Sequence, residues 1–259
     1  MNNNGLGNLD DLFQSAQDDG LTDDTMGLVI ANLNGPTMTQ TVGVGLDDLA
    51  SNDVTLAMNI IDMSGSMYPF ASDLIRAYND DYLAAMGGSA AADDILISTI
   101  LFDDVVALFH GYVNLKDAPP LTRSSYEPDG STALYDAVAA GLTNMVLYAQ
   151  QLRQSGVMVR CIVIVYTDGE DNASKQTAST VKRAARELLK HEMYTLAYVG
   201  FSTSVLSEAD LRRQATLIGF PDVLVAGLSH EALRRIFHLV SVSTVRVSQN
   251  QGSTTNIFA

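Results

Sequence analysis

From residue 54 to about residue 245 the chain alternates short apolar runs with segments whose apolar residues recur at helical spacing. No other feature limits its possible folds as much. The runs are VTLAMNII (54–61), DILISTILF (94–102), VVALFHGYV (105–113), VRCIVIVYT (159–167), YTLAYVGF (194–201) and DVLVAG (222–227). Continuous apolar runs this short, bounded by turn residues, read as strands buried on both faces. Between them, residues 69–86 carry Phe70, Leu74, Ile75, Tyr78, Tyr82, Leu83 and Met86 at helical intervals, with Pro69 in the first turn and Gly87-Gly88 as the stop. Further helices are predicted over 132–152, 174–192, 208–217 and 230–240. Only Asp103-Asp104 separates the second run from the third, so these two form a hairpin and place one antiparallel strand at or near an edge. The other strands need helical crossovers. The expectation is an α/β fold: a Rossmann-like three-layer sandwich with a mainly parallel central sheet and one antiparallel edge strand.

The first 53 residues have a different character. They hold nine aspartates (10, 11, 18, 19, 23, 24, 47, 48 and 53) and no Lys, Arg or Glu. They read as an acidic, partly ordered extension (1–53) ahead of one domain (54–245), with a polar tail (246–259) behind it. Within the extension, LVIANL (28–33) and TMTQTVGV (37–44) have the composition of ordered pieces, the second as an edge strand. Residues 1–25 read as a tether whose loss leaves stability unchanged. Asp23, Asp24, Asp47 and Asp48 are candidates for an internal mimic of an acidic ligand.

The net charge of −15 sets the extension's sign for the whole chain. A protein this acidic repels nucleic acid and anionic lipid and attracts cations or basic protein surfaces. The opening MNNNGLGNLDDLF shows neither the basic nor the apolar part of an export signal, and no stretch approaches the ~18 apolar residues of a membrane span. A cytoplasmic protein without a membrane partner is expected. The single cysteine, Cys161, lies inside an apolar run and reads as a buried, inert thiol.

In a sheet of this kind ligands bind outside the carboxyl ends of the strands, where the strand order reverses. Three such positions carry oxygen-bearing side chains. The first strand runs into Asp62-Met63-Ser64-Gly65-Ser66, the second long helix is entered through Asp129-Gly130-Ser131-Thr132, and the most apolar strand ends in Thr167-Asp168-Gly169. Asp62 and Asp168 supply carboxylates, Ser64, Ser66 and Thr132 hydroxyls. An all-oxygen set suits a hard cation such as Mg²⁺, with Mn²⁺ or Ca²⁺ as alternatives, and no His/Cys cluster favours zinc.

These residues resemble the metal-ion-dependent adhesion site of the von Willebrand factor A (vWA) family. That site reads D-x-S-x-S, then a distant Thr, then a distant Asp. Asp62, Ser64 and Ser66 match the first element, Thr132 the second and Asp168 the third. The surrounding DMSGSM, DGSTALYDA and YTDGEDN look like the family's bacterial and intracellular branch, and the resemblance covers about residues 54 to 240. It implies that Ser64 and Ser66 ligate directly, Thr132 directly or through water, and the aspartates often through water. It also implies a non-enzymatic interaction module that grips an Asp or Glu of a partner protein, with an AAA+ ATPase, stress or defence assembly as context.

Two other readings start from the same residues. Asp62 follows a strand, as the nucleophile of haloacid-dehalogenase phosphohydrolases does, but Ser64 stands where those enzymes need a second aspartate, and no lysine follows at the expected later strand. An exported adhesin would need a signal that the N-terminus does not offer. Around the motif, Asp136 lies one helical turn after Thr132, placed to hold the ligand loop. Glu170 and Asp171 read as solvated loop charges. Met63 and Met67 are candidates for apolar contact with a partner. His110, His191, His230 and His238 show no ligand spacing.

Overall fold

The six apolar runs become the strands of one sheet: β1 (Asp53–Asp62), β2 (Ile95–Phe102), β3 (Val106–Asn114), β4 (Met158–Thr167), β5 (Tyr194–Ser202) and β6 (Asp222–Gly227). This is a computed structural model, and it describes residues 14, 17, 20–21, 23–32, 43–249 and 257–258. The strand order is β3-β2-β1-β4-β5-β6. All neighbours are parallel except the β2–β3 hairpin. The half-buried β3 is the antiparallel edge, whereas β2 is buried along its whole length. The chain lays down β1 in the middle, builds outward to β3, then crosses back to add β4 on the other side of β1. The order therefore reverses between β1 and β4, and that crevice lies beside Asp62 and Asp168.

Successive residues of a strand face opposite sides of the sheet, and each side finds its own layer. Leu56, Met58 and Ile60 of β1 pack with Val138, Leu142 and Met145 of helix α4 (Leu134–Gln154), Val181 and Ala184 of α5 (Ala178–Leu188), and Leu211 of α6 (Glu208–Ile218). Ala57 and Ile61 pack on the other side with Leu74 of α2 (Ala71–Arg76) and with Phe237 and Val240 of α7 (His230–Ser248). Helix α4 lies tight on β1. A Cβ built on Gly141 would fall 2.4 Å from Ile60 Cδ1, so only glycine permits that approach. Across the sheet, the Phe237 ring stacks on Tyr166 of β4 at 4.9 Å.

Several elements differ from their sequence-based expectation. The helix expected over 69–86 is broken up: α2 passes through a π-helical stretch, Ala77–Leu83, into a short α3 (Ala84–Gly87). From that stretch Tyr78 and Tyr82 turn inward onto Phe237, and the Tyr78 hydroxyl meets Thr99 Oγ1 at 2.8 Å. The helix expected from 174 begins at Ala178, because Ser174 to Gln176 are bound to α4 and Thr177 caps α5 by accepting from Thr180 N. Helix α7 continues past 240 to Ser248, because Val240, Ser243, Thr244 and Val247 remain buried. In the expected tail, Ile257 is buried and its carbonyl accepts from Ser243 Oγ at 2.8 Å.

Residues 28–32 of the apolar run LVIANL fall within α1 (Asp23–Asn32), whose Met26, Leu28 and Val29 join the core under α4 and α5, and residue 33 lies outside the described residues. Of the expected edge strand over 37–44, residues 37–42 lie outside the described residues. Gly43 and Val44 are not strand, although Val44 N donates to Tyr112 O and its carbonyl accepts from Tyr148, both at 2.9 Å. Those contacts fall toward the end of β3 and of α4 remote from Asp62 and Thr132. Asp47 and Asp48 follow immediately and lead into the start of β1, so they sit at the rim opposite the candidate site and are no mimic of its ligand. Among the described residues no helix is long and apolar enough to cross a membrane.

Candidate metal centre

Asp62 is the last residue of β1 and is fully buried. Its Oδ1 accepts from Ser64 N at 2.8 Å and its Oδ2 from Thr167 Oγ1 at 2.5 Å. Its carbonyl accepts from the Tyr126 hydroxyl at 2.7 Å. The turn that follows is stitched to the loop before α4: Asp129 N donates to Met63 O and Gly65 N to Gly130 O. Gly130 holds a φ of +71°, and a side chain there would meet the Asp104 carboxylate at 2.5 Å. Glycine is therefore favoured for its backbone, and a larger residue would also push the exposed Asp104 side chain aside.

This stitching brings the hydroxyls to the carboxylates. Ser64 Oγ lies 3.2 Å from Ser66 Oγ, and Ser66 Oγ donates to Asp168 Oδ1 at 2.7 Å. Thr132 is fixed from the opposite loop, its N–H donating to Asn172 Oδ1 and its carbonyl accepting from Asn172 N and Ala173 N. A Cβ on Gly169 would lie 3.4 Å from Thr132 Oγ1 and 3.9 Å from Asp62 Oδ2, so these two oxygens face one small space that any larger residue would fill. The five residues singled out in the sequence thus gather at one rim, across the β1–β4 crevice.

Burial makes the gathering electrostatically costly. Loss of solvent raises the Asp62 carboxyl to about 6, opposed by hydrogen bonds from Ser64 and Thr167 and reinforced by the charge of Asp168. Asp168 is raised by the same desolvation, opposed by the Ser66 hydrogen bond. Burial likewise raises the Tyr126 and Tyr198 hydroxyls, and the negative charge of Asp62 and Asp168 raises both further. Asp168 Oδ2 is buried and has no hydrogen-bond partner among the described residues. A buried acceptor without a donor is unfavourable, and a cation beside it would supply what it lacks. Nowhere among the described residues do three or more His, Cys, Asp or Glu side chains group to hold a metal. Hydroxyls must therefore complete this donor set, and two carboxylates with three hydroxyls fit a hard divalent cation.

The surrounding residues have defined tasks. Asp136 accepts from Lys175 N and, at 2.7 Å, from Gln176 N, while its own N–H donates to Ser174 Oγ. It holds the loop after Asp168, as its position one turn beyond Thr132 suggested. Asp171 is not the solvated charge expected: it accepts from Tyr135 N at 3.2 Å and from the Ser174 hydroxyl, bonding the start of α4 to the same loop. Glu170 pairs with Arg213 at 3.0 Å. Met67 is fully buried in the core, so it offers nothing to a partner, and Met63 packs half-buried against the same core. The structure adds Thr167, Asn172 and Tyr126 to the residues that hold the site. Nothing in spacing distinguishes them, although Asn172 stands within the quoted YTDGEDN. None of the four histidines lines the cleft beside the site, whose volume is about 870 Å³.

No protein-family model matches the sequence, and no curated protein matches it. Among solved structures, the PilB minor pilin from Streptococcus sanguinis is similar with a TM-score of 0.56 at 15% identity, over 77% of this chain and 62% of the pilin. The pilus adhesin SpaC from Lactobacillus rhamnosus GG is similar with a TM-score of 0.53 at 12% identity, over 78% of this chain and 30% of the adhesin. A von Willebrand factor type A protein from Catenulispora acidiphila aligns at 0.49 and 15% identity, over 74% of this chain and 43% of that one. The chain thus spans less than two thirds of each of these proteins. At such identities the likeness concerns the fold. The strand order, the antiparallel edge and the helical layers are those of the Rossmann-like three-layer α/β sandwich expected from the sequence, and the pilin and the adhesin share that fold.

Proposed function

We propose that the chain is a metal-dependent protein-interaction module, without catalytic activity of its own, which grips an acidic side chain of a partner through a divalent cation held by Asp62, Ser64, Ser66, Thr132 and Asp168. The observation that carries this reading is the buried, unpartnered Oδ2 of Asp168 amid three hydroxyls. Both oxygens of Asp62 already accept hydrogen bonds, and Oδ1 of Asp168 accepts another. Of the four carboxylate oxygens only Oδ2 of Asp168 is free to bind the ion directly, so hydroxyls and water make up the rest of its shell. A cation held mainly by neutral hydroxyls stays electrophilic and favours an incoming carboxylate. Mg²⁺ is the ion proposed, with Mn²⁺ and Ca²⁺ as alternatives.

An AAA+ ATPase partner and a cytoplasmic setting rest on the family resemblance alone. The likeness to a minor pilin and a pilus adhesin favours a second setting, in which the same module works in a surface assembly. The chemistry of the site is the same in both. Calorimetric titration with Mg²⁺, Mn²⁺ and Ca²⁺ tests the reading. Saturable binding that disappears in Asp62→Ala and Asp168→Ala supports it, and identical titrations of parent and variants overturn it.

A further inference from the structure

We infer that the cleft beside the metal centre is a second half of the binding site, one that takes a bulky apolar side chain adjacent in sequence to the partner's acidic residue. The inference rests on the metal-centred reading above and adds the kind of polypeptide it selects. The cleft runs from Ser66, Thr132 and Asp168 at one end to the loops after β5 and β6 at the other. Its apolar lining is Phe70, Leu206 and Leu228, all half-buried, and Val205, which is 86% exposed.

Val205 is the most exposed large apolar residue described, and its exposure is not that of a slack loop. Thr203 Oγ1 accepts from both Val205 N and Leu206 N, and Thr203 N donates to Leu206 O at 3.0 Å. The turn therefore holds Val205 outward at the cleft wall. An ordered apolar group kept in water has an unfavourable hydration cost that covering it would relieve.

Charge identifies the occupant. No Lys or Arg lines the cleft, while Glu170 and Asp171 do, along with Asp168. Without a cation such a surface repels a carboxylate. With one, it accepts a carboxylate at the metal end only, and the remaining surface offers apolar contact and hydroxyls. A chain presenting Asp or Glu next to Leu, Met or Phe satisfies both ends. A free carboxylate or a uniformly acidic segment satisfies one.

The probes are acetylated, amidated tripeptides centred on aspartate, one with glycine on both sides and two with leucine on either side. Binding is read with the full chain in Mn²⁺, both by titration and by metal-induced broadening of the aspartate β-proton signals. We expect one leucine peptide to bind roughly tenfold more tightly than the glycine peptide. Val205→Ser should remove most of that difference and leave glycine-peptide binding and Mn²⁺ affinity unchanged. Equal affinities for all three peptides, or a Val205→Ser protein that keeps the full preference, overturns the inference while the metal reading stands. If Mn²⁺ binds but no peptide signal broadens, the metal–carboxylate reading fails and this inference with it. Metal-dependent self-association of the chain alone, lost in Val205→Ser, would assign the cleft to a second copy and overturn the inference too.

Discussion

The Ser66 hydroxyl donates to Oδ1 of Asp168 at 2.7 Å, joining the turn after β1 to the tip of β4, and Oδ2 of the same carboxylate is left buried without a partner. That one relationship ties the strand order to the chemistry. The two residues are 102 positions apart in sequence and meet only because β1 and β4 are neighbours in the sheet.

A cation that satisfies this carboxylate binds the folded chain and not the unfolded one, so it stabilises by mass action. At a concentration one hundred times Kd the gain is about 2.7 kcal/mol, which for a domain of this size raises Tm by roughly 5–10 °C. Asp168→Ala should lose the increment. It should also leave the metal-free protein no less stable than the parent, because it removes a buried, poorly solvated charge. Thermal melts with and without Mg²⁺ or Mn²⁺ measure both effects. An Asp168→Ala protein that gains as many degrees as the parent rules this residue out as a ligand.

The pH dependence has opposite signs with and without metal. In the fold Asp62 keeps its proton up to about pH 6, whereas an unfolded aspartate loses it near 4. Between these values the folded chain holds more protons, so Asp62's contribution makes the metal-free protein less stable as pH rises through that window. The cation requires the ionised form, so its affinity should weaken as pH falls below about 6, approaching about tenfold per pH unit. Asp62→Asn should flatten the metal-free trend over the same window. Mn²⁺ affinities at pH 7, 6 and 5 check the first point, and urea melts of parent and variant across the same range check the second.

Asp136 should act on the metal without touching it. Its carboxylate holds the backbone at Lys175 and Gln176, three to four residues beyond the Asn172 that fixes Thr132. Asp136→Ala leaves those N–H groups unpaired and frees the loop. A loss of about 1–3 kcal/mol in stability is expected, with Mn²⁺ affinity lowered roughly tenfold or more. Asp136→Asn, which keeps one acceptor, should recover part of both. Metal affinity unchanged in a destabilised Asp136→Ala protein would reduce this residue to a purely structural role.

The sheet and the five candidate positions at its rim were legible in the sequence because both follow from local rules. A strand buried on both faces has to be a short apolar run, and a D-x-S-x-S turn with two partners on other strand tips is specific as a set. What escaped was set by contacts between distant segments. Asp171 looked like a solvated charge because its acceptor role depends on Tyr135 N and Ser174, which only the packed loop brings within reach. Met67 looked like a contact residue because nothing in the motif shows that the 3₁₀ turn from Gly65 to Phe70 rotates it into the core. The break in the helix at 77–83 is equally silent, since Tyr78 and Tyr82 suit either helical period.

The N-terminal extension yields the last expectation, and here the structure departs from the sequence reading at Leu21 and Thr25. An aspartate-rich segment without basic residues reads as a tether, and removing residues 1–25 would then cost nothing. Yet Leu21 lies within that stretch and joins Met26, Leu28 and Val29 in the core beneath α4 and α5, each no more than 4% exposed, the last two in the piece expected to be ordered. The N–H and hydroxyl of Thr25 both donate to the buried Glu187 carboxylate, at 2.9 and 2.6 Å. Burial of four such side chains is worth about 6–12 kcal/mol as an upper bound, comparable to the whole stability of an ordinary domain of roughly 5–15 kcal/mol. A chain lacking residues 1–32 should therefore melt well over ten degrees lower or fail to stay soluble. Thr25→Val isolates the polar part: it withdraws the hydroxyl from a buried carboxylate and should cost about 1.5–3 kcal/mol. Differential scanning calorimetry on the two variants decides the matter. If the chain without residues 1–32 melts with the parent, α1 does not belong to the folded core.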